Sequence, residues 1–378
     1  MYYQLNENIK LCGTSYGEYL MYFYNKDGMN YQEINKEGYE ILSLCDGSNS
    51  YEDIVDQLAK YYNESKDKVK ENISEFINLS LKLNILKEVI DPLKKTKVQL
   101  NENIYTPTAL FMTIELTKKC NLYCSHCYAN AGINQTKELD LSLLKNLISY
   151  AETSGTLLLQ FTGGETFMYS EINQLLKYAV KNFTRRIEIS TNGTIWNETI
   201  EEILANKNYS QRVSFQVSID GLEKFHDNFR GVQGSYKKTM DFIKKVKAIN
   251  PNTFITVAIT LANQQYNDVM ELAEIVSNSG VDRLRIGVVT DQGRAEGTSM
   301  LKWNVKKYRM LLHELFDKYK DKKMQIAYEN DDECMNCGAG YKIIALLSDN
   351  TLRPCIMHKR IIGKVYTLED YKSLIINS

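Results

Sequence analysis

The sequence has no excess of charge of either sign, because its 378 residues include 46 Lys and Arg against 47 Asp and Glu. Without a general electrostatic field, binding to nucleic acid or to an anionic membrane is not expected, and partners must be recognised locally. Long hydrophobic runs are also missing, since no stretch approaches the roughly 18 apolar residues of a membrane span. Residues 1–10 are polar and lack the apolar core of a secretory signal. The sequence therefore predicts a cytoplasmic protein.

Cysteine is scarce, and its distribution excludes an ordinary disulfide framework. Six of the eight cysteines form two close groups, Cys120, Cys124 and Cys127, and then Cys334, Cys337 and Cys355. Groups of three fit disulfide pairing poorly, and thiolates in a reducing compartment bind metal instead. The isolated Cys12 and Cys45 are expected to pack as small buried hydrophobic side chains. The pattern predicts two metal centres.

Residues 1–92 are predicted to form a small α+β unit that resembles a winged helix. Its three strands are expected at Asn8–Cys12, at Tyr19–Tyr24 and near Tyr31–Ile34. Three helices follow, and the second begins at Ser50, which has the spacing of a capping box with Asp53. The polar, lysine-rich residues 93–108 are typical of a surface linker.

Residues 109–321 show a regular alternation of apolar strands and helical stretches. The strands are expected at Leu110–Leu116, Thr156–Thr162, Arg186–Thr191, Val213–Ile219, Phe254–Leu261 and Arg283–Val289. Such alternation implies parallel pairing with right-handed crossovers, so the sequence predicts an α/β fold, a partial (β/α)6 barrel with its reactive face at the carboxyl ends of the strands. Residues 322–378 hold the second cysteine group and are predicted to form a small unit that needs a metal for stability.

The first cysteine group lies in the loop that leaves the first barrel strand. Cys120, Cys124 and Cys127 follow the pattern C-x3-C-x2-C. Three thiolates on a cubane of four irons leave one iron without a protein ligand, and that open position is where the amino and carboxylate groups of a cofactor bind. Two alternatives remain open from spacing alone: a three-thiolate zinc site completed by His126, or core cysteines without a metal.

The same cysteine pattern, with an aromatic ring just before the last cysteine, resembles the signature of the radical S-adenosylmethionine (SAM) family. His126 occupies the ring position. The resemblance implies a 4Fe–4S cluster that reduces SAM to methionine and a 5′-deoxyadenosyl radical. Gly163, Gly164 and Glu165, at the end of the second strand, match the family's glycine-rich motif, which implies that the backbone there accepts the SAM ammonium group.

The resemblance extends to the ends of the later strands. It implies that Ser190, Asn192 and Ser218 contact the ribose or methionyl part of SAM, and that backbone groups of Ile259–Leu261 contact the adenine. Arg230 resembles a family arginine that binds the SAM carboxylate through its planar fork. A solvated surface arginine is the alternative for that residue.

The second cysteine group, with the spacing C-x2-C-x17-C, resembles the opening of a twitch or SPASM auxiliary-cluster domain. Asn350 stands where that family usually has glycine, and Asn tolerates a left-handed turn better than most residues. The further cysteines that complete such domains are absent from the sequence. The resemblance implies a second, auxiliary 4Fe–4S cluster on three cysteines, with an open iron or a non-cysteine fourth ligand such as His358. A structural zinc site is the alternative.

Residues 1–92 resemble a RiPP recognition element, which binds the leader segment of a ribosomally made precursor peptide. Strand addition supplies the physical basis, because the third strand has a free edge on which an extended leader can pair. The alternative, a DNA-binding winged helix, needs a basic recognition helix, whereas Glu52, Asp53, Glu71 and Glu75 make the helices acidic.

The order of recognition element, radical barrel and short auxiliary domain resembles the sactipeptide maturases. Those enzymes join a cysteine sulfur of a precursor peptide to the α-carbon of another residue. The implied partners are the precursor, bound through its leader, and an electron donor such as ferredoxin or flavodoxin. The alternatives are another thioether, a carbon–carbon cross-link or an epimerised residue, a radical SAM enzyme acting on a small molecule, and a zinc-stapled peptide-binding protein without catalysis.

Overall fold

The structure, a computed structural model, describes residues 1–6, 9–13, 19–25, 28–93, 109–298, 305–328, 338–340 and 342–376. Most of the predicted linker, and the side chains of Cys12, Cys334 and Cys337, lie outside what is described. The chain divides into two compact units, Met1–Pro107 and Thr108–Ser378.

The first unit contains two small antiparallel sheets and three helices. Its strands are β1 (Tyr2–Leu5), β2 (Ile9–Gly13), β3 (Tyr19–Asn25), β4 (Gly28–Ile34), β5 (Asp46–Ser50) and β6 (Leu86–Val89). Its helices are α1 (Lys36–Leu44), α2 (Tyr51–Tyr62) and α3 (Lys66–Lys82). One sheet has the order β2-β3-β4 and corresponds to the three predicted strands, whereas the other, β5-β1-β6, was not expected from the sequence.

Apolar faces of the three helices form the core of the first unit. Ile41 and Leu44 of α1 pack in one cluster with Ile54 and Leu58 of α2 and with Ile73 and Ile77 of α3. This spacing of apolar residues three or four apart is what folds each helix onto its sheet.

Helix α2 begins with the predicted capping box. The Ser50 hydroxyl accepts a hydrogen bond from the Asp53 backbone N–H at 3.2 Å, and the Asp53 carboxylate accepts one from the Ser50 N–H at 2.9 Å. We expect Ser50→Ala to lower the local opening free energy of α2 by about 1 kcal/mol. Hydrogen exchange of α2 peptides measures this loss. Ser74→Ala, in the middle of α3, is the control, and equal protection of α2 in both variants would contradict the capping role.

The second unit is built on one sheet of ten strands. They are β7 (Phe111–Glu115), β8 (Leu158–Thr162), β9 (Arg186–Thr191), β10 (Val213–Ser218), β11 (Ile255–Leu261), β12 (Arg283–Val288), β13 (Gln325–Tyr328), β14 (Ile343–Leu346), β15 (Thr351–Arg353) and β16 (Gly363–Lys364). Strands β7 to β13 are parallel and lie side by side in chain order. The predicted α/β class with a mostly parallel sheet is confirmed.

Helices connect the parallel strands and cover the sheet. They are α4 (Leu141–Ser154), α5 (Ile172–Asn182), α6 (Glu198–Ala205), α7 (Lys207–Ser210), α8 (Glu223–Arg230), α9 (Ser235–Ile249), α10 (Tyr266–Asn278), α11 (Val305–Tyr319) and α12 (Leu368–Ile376). Alternate strand residues such as Ile114, Phe161 and Ile189 are fully buried in the main core. No helix within the described ranges is long and apolar enough to cross a bilayer.

The strands of residues 322–378 extend this same sheet. β13 pairs with β12 at one end. β14 pairs in parallel with β7, and β15 and β16 continue antiparallel beyond it. The segment predicted to form a small unit is therefore continuous with the barrel sheet in its described part.

The other set of alternating strand residues is polar and only partly buried. Gln160 of β8 accepts a hydrogen bond from Thr113 of β7 at 2.9 Å and donates one to Glu188 of β9 at 2.7 Å. Arg285 of β12 donates to Gln216 of β10 at 2.9 Å. The sheet therefore has an apolar face that packs against its helices and a polar face on the opposite side. The polar face is the one suited to contact a polar substrate.

Candidate functional site

The three cysteines of the first group lie in the loop at the carboxyl end of β7. Cys120 and Cys124 are buried, Cys127 is partly buried, and all three are free thiols. They pack with Leu122, Ala129 and Ala131 in a small apolar cluster. Burial raises the pKa of the Cys120 thiol to about 12 and also raises the pKa of Cys124. Buried thiols with raised pKa values stay protonated and unreactive unless a bound metal displaces the proton. Three such thiols in one loop therefore fit an iron–sulfur cluster.

The predicted glycine motif holds the cysteine loop. The Gly164 N–H donates to the Thr117 carbonyl at 2.7 Å, and the Glu165 N–H donates to the Lys119 carbonyl at 2.9 Å. A Cβ atom on Gly164 would lie 2.4 Å from the Lys119 oxygen, and one on Gly163 would lie 2.7 Å from the Thr117 oxygen. The motif needs glycine because two backbones touch here. The backbone carbonyls of the motif remain the predicted acceptors for the SAM ammonium group.

The Glu165 carboxylate joins the ends of β8 and β9. It is 1 % exposed and accepts hydrogen bonds from the Thr191 hydroxyl and the Asn192 N–H, both at 2.7 Å. Burial raises the pKa of Glu165, and these donors oppose that rise. Its side chain therefore fixes Asn192 in place.

Asn192 reaches back to the cysteine loop. Its Nδ2 atom lies 3.0 Å from Asn121 Oδ1 and 3.9 Å from Cys120 Sγ. The two serines predicted to contact SAM lie at the same ends of the strands: Ser190 of β9 accepts a hydrogen bond from Gln216 at 3.5 Å, and Ser218 ends β10, both partly buried. The structure thus brings the predicted polar residues to one edge of the sheet, while their contacts with SAM remain predictions.

Arg230, at the end of α8, is buried, so the alternative of a solvated surface arginine is wrong. Its Nε donates to Asp220 Oδ2 at 2.6 Å, and its Nη1 lies 3.8 Å from Cys124 Sγ. Burial would raise the pKa of Asp220, but the Arg230 charge and two neighbouring histidines hold that pKa below its ordinary value. A charged pair thus lies directly beside a cysteine of the loop.

His126 does not take the place of a fourth cysteine. Its ring stacks on Phe229 with centroids 4.2 Å apart, and burial lowers its pKa to about 4, so it is neutral. Its Nδ1 atom is buried and has no hydrogen-bond partner within the described ranges, as expected beside a bound group. Among the residues described, no three His, Cys, Asp or Glu side chains form a site for a single metal ion. The stacked ring gives no support to His126 as a zinc ligand.

Sequence reasoning missed the loop after β12. The Arg294 guanidinium donates to the carbonyls of Cys124, at 2.6 Å, and Ala131, at 2.8 Å. Gly293 has a φ of +61°, and a Cβ atom there would lie 2.2 Å from the Cys127 oxygen. In the sequence the only signal was a glycine after a strand, which usually indicates no more than a turn.

The second cysteine group is described only in part. Cys355 is a partly buried free thiol, and the described residues do not include Cys334 or Cys337. Asn350 has the left-handed φ of 66° expected of it, and its side chain donates to the Val365 carbonyl at 2.8 Å. His358 is exposed, and its Nδ1 accepts the Arg360 N–H at 3.0 Å. The ligand set of an auxiliary cluster remains a prediction.

Comparisons with known proteins agree with this site. Residues 114–276 match the model of the radical SAM superfamily, and residues 22–86 match the model of coenzyme PQQ synthesis protein D (PqqD). The antilisterial bacteriocin subtilosin biosynthesis protein AlbA of Bacillus subtilis is 26% identical over 383 residues, covering 99% of this chain and 84% of AlbA. The sporulation killing factor maturation protein SkfB of the same organism is 29% identical over 263 residues, covering 68% of this chain and 62% of SkfB.

Solved structures show the same fold. Streptococcus suis SuiB bound to S-adenosylmethionine superposes with a TM-score of 0.65 at 16% identity, covering 95% of this chain and 85% of SuiB. SuiB bound to its precursor peptide SuiA gives the same TM-score, with 94% and 83% covered. The cysteine loop, its buried arginine and the two matched domains lead to one conclusion: the chain is a radical SAM enzyme, of the family that uses a 4Fe–4S cluster and SAM, with an N-terminal domain of the PqqD type.

Proposed function

We propose that this enzyme matures a ribosomally synthesised precursor peptide by joining a cysteine sulfur to the α-carbon of another residue. One observation carries the proposal: a single chain combines a PqqD-type domain with a radical SAM barrel. The match to AlbA, a bacteriocin biosynthesis protein, over 99% of the chain supports it. A radical SAM enzyme for a free small molecule has no use for the N-terminal domain.

Different residues around the cysteine loop bind different parts of SAM. Arg230 binds the SAM carboxylate while Asp220 holds its Nε and its Nη1 lies near Cys124. The carbonyls of the Gly163–Glu165 turn accept the ammonium group, and Ser190, Asn192 and Ser218 bind the methionyl and ribose parts. Bound here, the cluster and SAM supply the 5′-deoxyadenosyl radical that removes a hydrogen atom from the peptide.

Closing the thioether removes a second electron and a proton. The α-hydrogen leaves as a hydrogen atom, and formation of the C–S bond releases the thiol proton together with one electron. Cys334, Cys337 and Cys355 would hold an auxiliary 4Fe–4S cluster, with His358 as a candidate fourth ligand, and such a cluster would supply an acceptor for that electron or a binding position for the substrate sulfur. The electron for the first cluster would come from a donor such as ferredoxin or flavodoxin.

The N-terminal unit holds the precursor by its leader. Among the described strands, β4 lies at one edge of the sheet of order β2-β3-β4 and pairs with β3, so an extended peptide is able to add there as a further strand. A docked leader keeps the modified segment at high effective concentration without a tight contact in the barrel. Specificity then resides in the leader, and the barrel needs to recognise only the residues it joins.

Co-expression with a short cysteine-containing reading frame beside the gene tests this function. We expect a peptide lighter by two hydrogen atoms for each bond, with its thiol protected from alkylation. The same peptide without its leader is expected to stay unmodified, while reductive cleavage of SAM continues. A lighter peptide with a free thiol would indicate a carbon–carbon cross-link, an unchanged mass with an inverted centre would indicate epimerisation, and no modification of the full precursor would contradict the proposal.

A further inference from the structure

The arginine that the sequence assigns to SAM also faces a cysteine of the loop. Arg230 is 8% exposed, and its Nη1 is 3.8 Å from Cys124 Sγ, within the range of a hydrogen bond to sulfur. The cationic guanidinium therefore lies where it stabilises negative charge on that sulfur.

Asp220 fixes the guanidinium in this orientation. Asp220 is fully buried, and its Oδ2 accepts from Arg230 Nε at 2.6 Å. Its Oδ1 accepts the Thr260 N–H at 2.9 Å, its N–H donates to His226 Nδ1 at 3.2 Å, and its carbonyl accepts from Gln264 at 2.7 Å. Every polar group of Asp220 therefore has a partner, so the side chain has one position and Arg230 follows it.

The backbone also holds Arg230 opposite Cys124. The Tyr123 N–H donates to the Arg230 carbonyl at 3.1 Å, and the Ser125 N–H donates to the Phe229 carbonyl at 3.0 Å. These two bonds lie on either side of Cys124 and tie the end of α8 to the loop. Gly231 has a φ of +75°, and a Cβ atom there would lie 2.8 Å from the Tyr123 oxygen, so the close approach depends on glycine.

We propose that Arg230 is a positioning residue for the cluster as well as for SAM: held by Asp220, it donates a hydrogen bond to the Cys124 sulfur and raises the reduction potential of the cluster. An N–H donor and a cation beside a ligating sulfur stabilise the added electron, since the reduced cluster carries one more negative charge. Burial keeps water from screening that charge. The inference rests on the proposed function only in requiring a cluster on this loop.

The midpoint potential of the reconstituted first cluster, measured by a redox titration monitored by EPR in the absence of SAM, tests the inference. We expect Arg230→Gln to shift the potential to more negative values while iron content stays at the wild-type level. Arg294→Gln is the matched control, because it removes an equal charge beside the cysteine loop but its guanidinium contacts carbonyls rather than sulfur.

An unchanged potential in Arg230→Gln, with only SAM affinity reduced, would overturn the inference, and so would an equal shift in Arg294→Gln. If Arg230→Gln loses its cluster, Arg230→Lys is titrated instead. Lysine keeps the charge but cannot bond Asp220 and Cys124 at once, so a smaller negative shift is expected, and no shift would count against the role. Wild-type enzyme that cleaves SAM but never modifies the precursor would refute the proposed function and leave this inference standing.

Discussion

Cys124→Ala is expected to abolish 5′-deoxyadenosine formation. The substitution removes one of the three thiolates that we propose as ligands of the first cluster, and His126, which is stacked on Phe229, is not placed to replace it. Without the cluster SAM receives no electron. Chromatography of reaction mixtures under a chemical reductant measures the product, and iron analysis should show the loss of about four of about eight irons per chain.

The matched control for this loss is Cys45→Ala. Cys45 is also buried, in the first unit, where burial raises its pKa to about 12 and its thiol contacts the Ile41 carbonyl at 3.3 Å. It packs as the small hydrophobic side chain that the sequence predicts. Iron content and SAM cleavage should therefore match those of the wild type. A wild-type yield of 5′-deoxyadenosine from Cys124→Ala would contradict the assignment of the first cluster to this loop.

Cys355→Ala distinguishes the role of the second cysteine group from that of the first. We expect SAM cleavage to persist, since the first loop is intact. We expect the peptide product to disappear, since the proposed auxiliary cluster would no longer bind the substrate sulfur or accept its electron. Mass spectrometry of the co-expressed precursor measures the product. An unchanged peptide product would remove the auxiliary cluster from the mechanism.

The regular part of the fold was readable from the sequence. The six predicted barrel strands correspond to β7 to β12, and their ends differ by at most two residues; β7, for example, spans Phe111–Glu115 within the predicted Leu110–Leu116. Parallel strands buried on one face carry frequent apolar residues, and intervening helices carry apolar residues at helical spacing, so each element has a strong local signal. The cysteine loop was equally predictable, because its three cysteines lie close together in the sequence.

Elements that depend on distant partners were not readable. β5 has the sequence DGSNS, without apolar alternation, and becomes a strand because it pairs with β1 and because the buried Asn49 donates to the Leu44 carbonyl at 2.9 Å. The pairing of β14 with β7 joins residues more than two hundred positions apart, and no local pattern encodes it. The contact between Asp220 and Arg230 is similar, because the sequence singled out Arg230 but only the fold shows that Asp220 holds it.

Gly164→Ala is expected to be as damaging to the first cluster as the loss of a cysteine. The added Cβ would lie 2.4 Å from the Lys119 carbonyl oxygen, and this oxygen is backbone that already accepts the Glu165 N–H at 2.9 Å. Alanine itself tolerates the conformation, because the φ of Gly164 is not in the left-handed region. The loss of stability therefore comes from steric contact alone and amounts to about 1–3 kcal/mol, by analogy with overpacked cores. The backbone that must shift belongs to Lys119, the residue next to Cys120.

Gly132→Ala provides the comparison, because Gly132 lies in the cysteine loop itself and an added Cβ there meets no atom within 4 Å. We expect Gly132→Ala to keep its iron and its SAM cleavage, whereas Gly164→Ala should lose the first cluster and show faster hydrogen exchange across residues 116–134. Full iron loading in Gly164→Ala would mean that the loop adjusts its backbone, and that the glycine motif serves SAM rather than the cysteines. The two glycines thus distinguish a motif that shapes the cluster loop from one that only lines a ligand pocket.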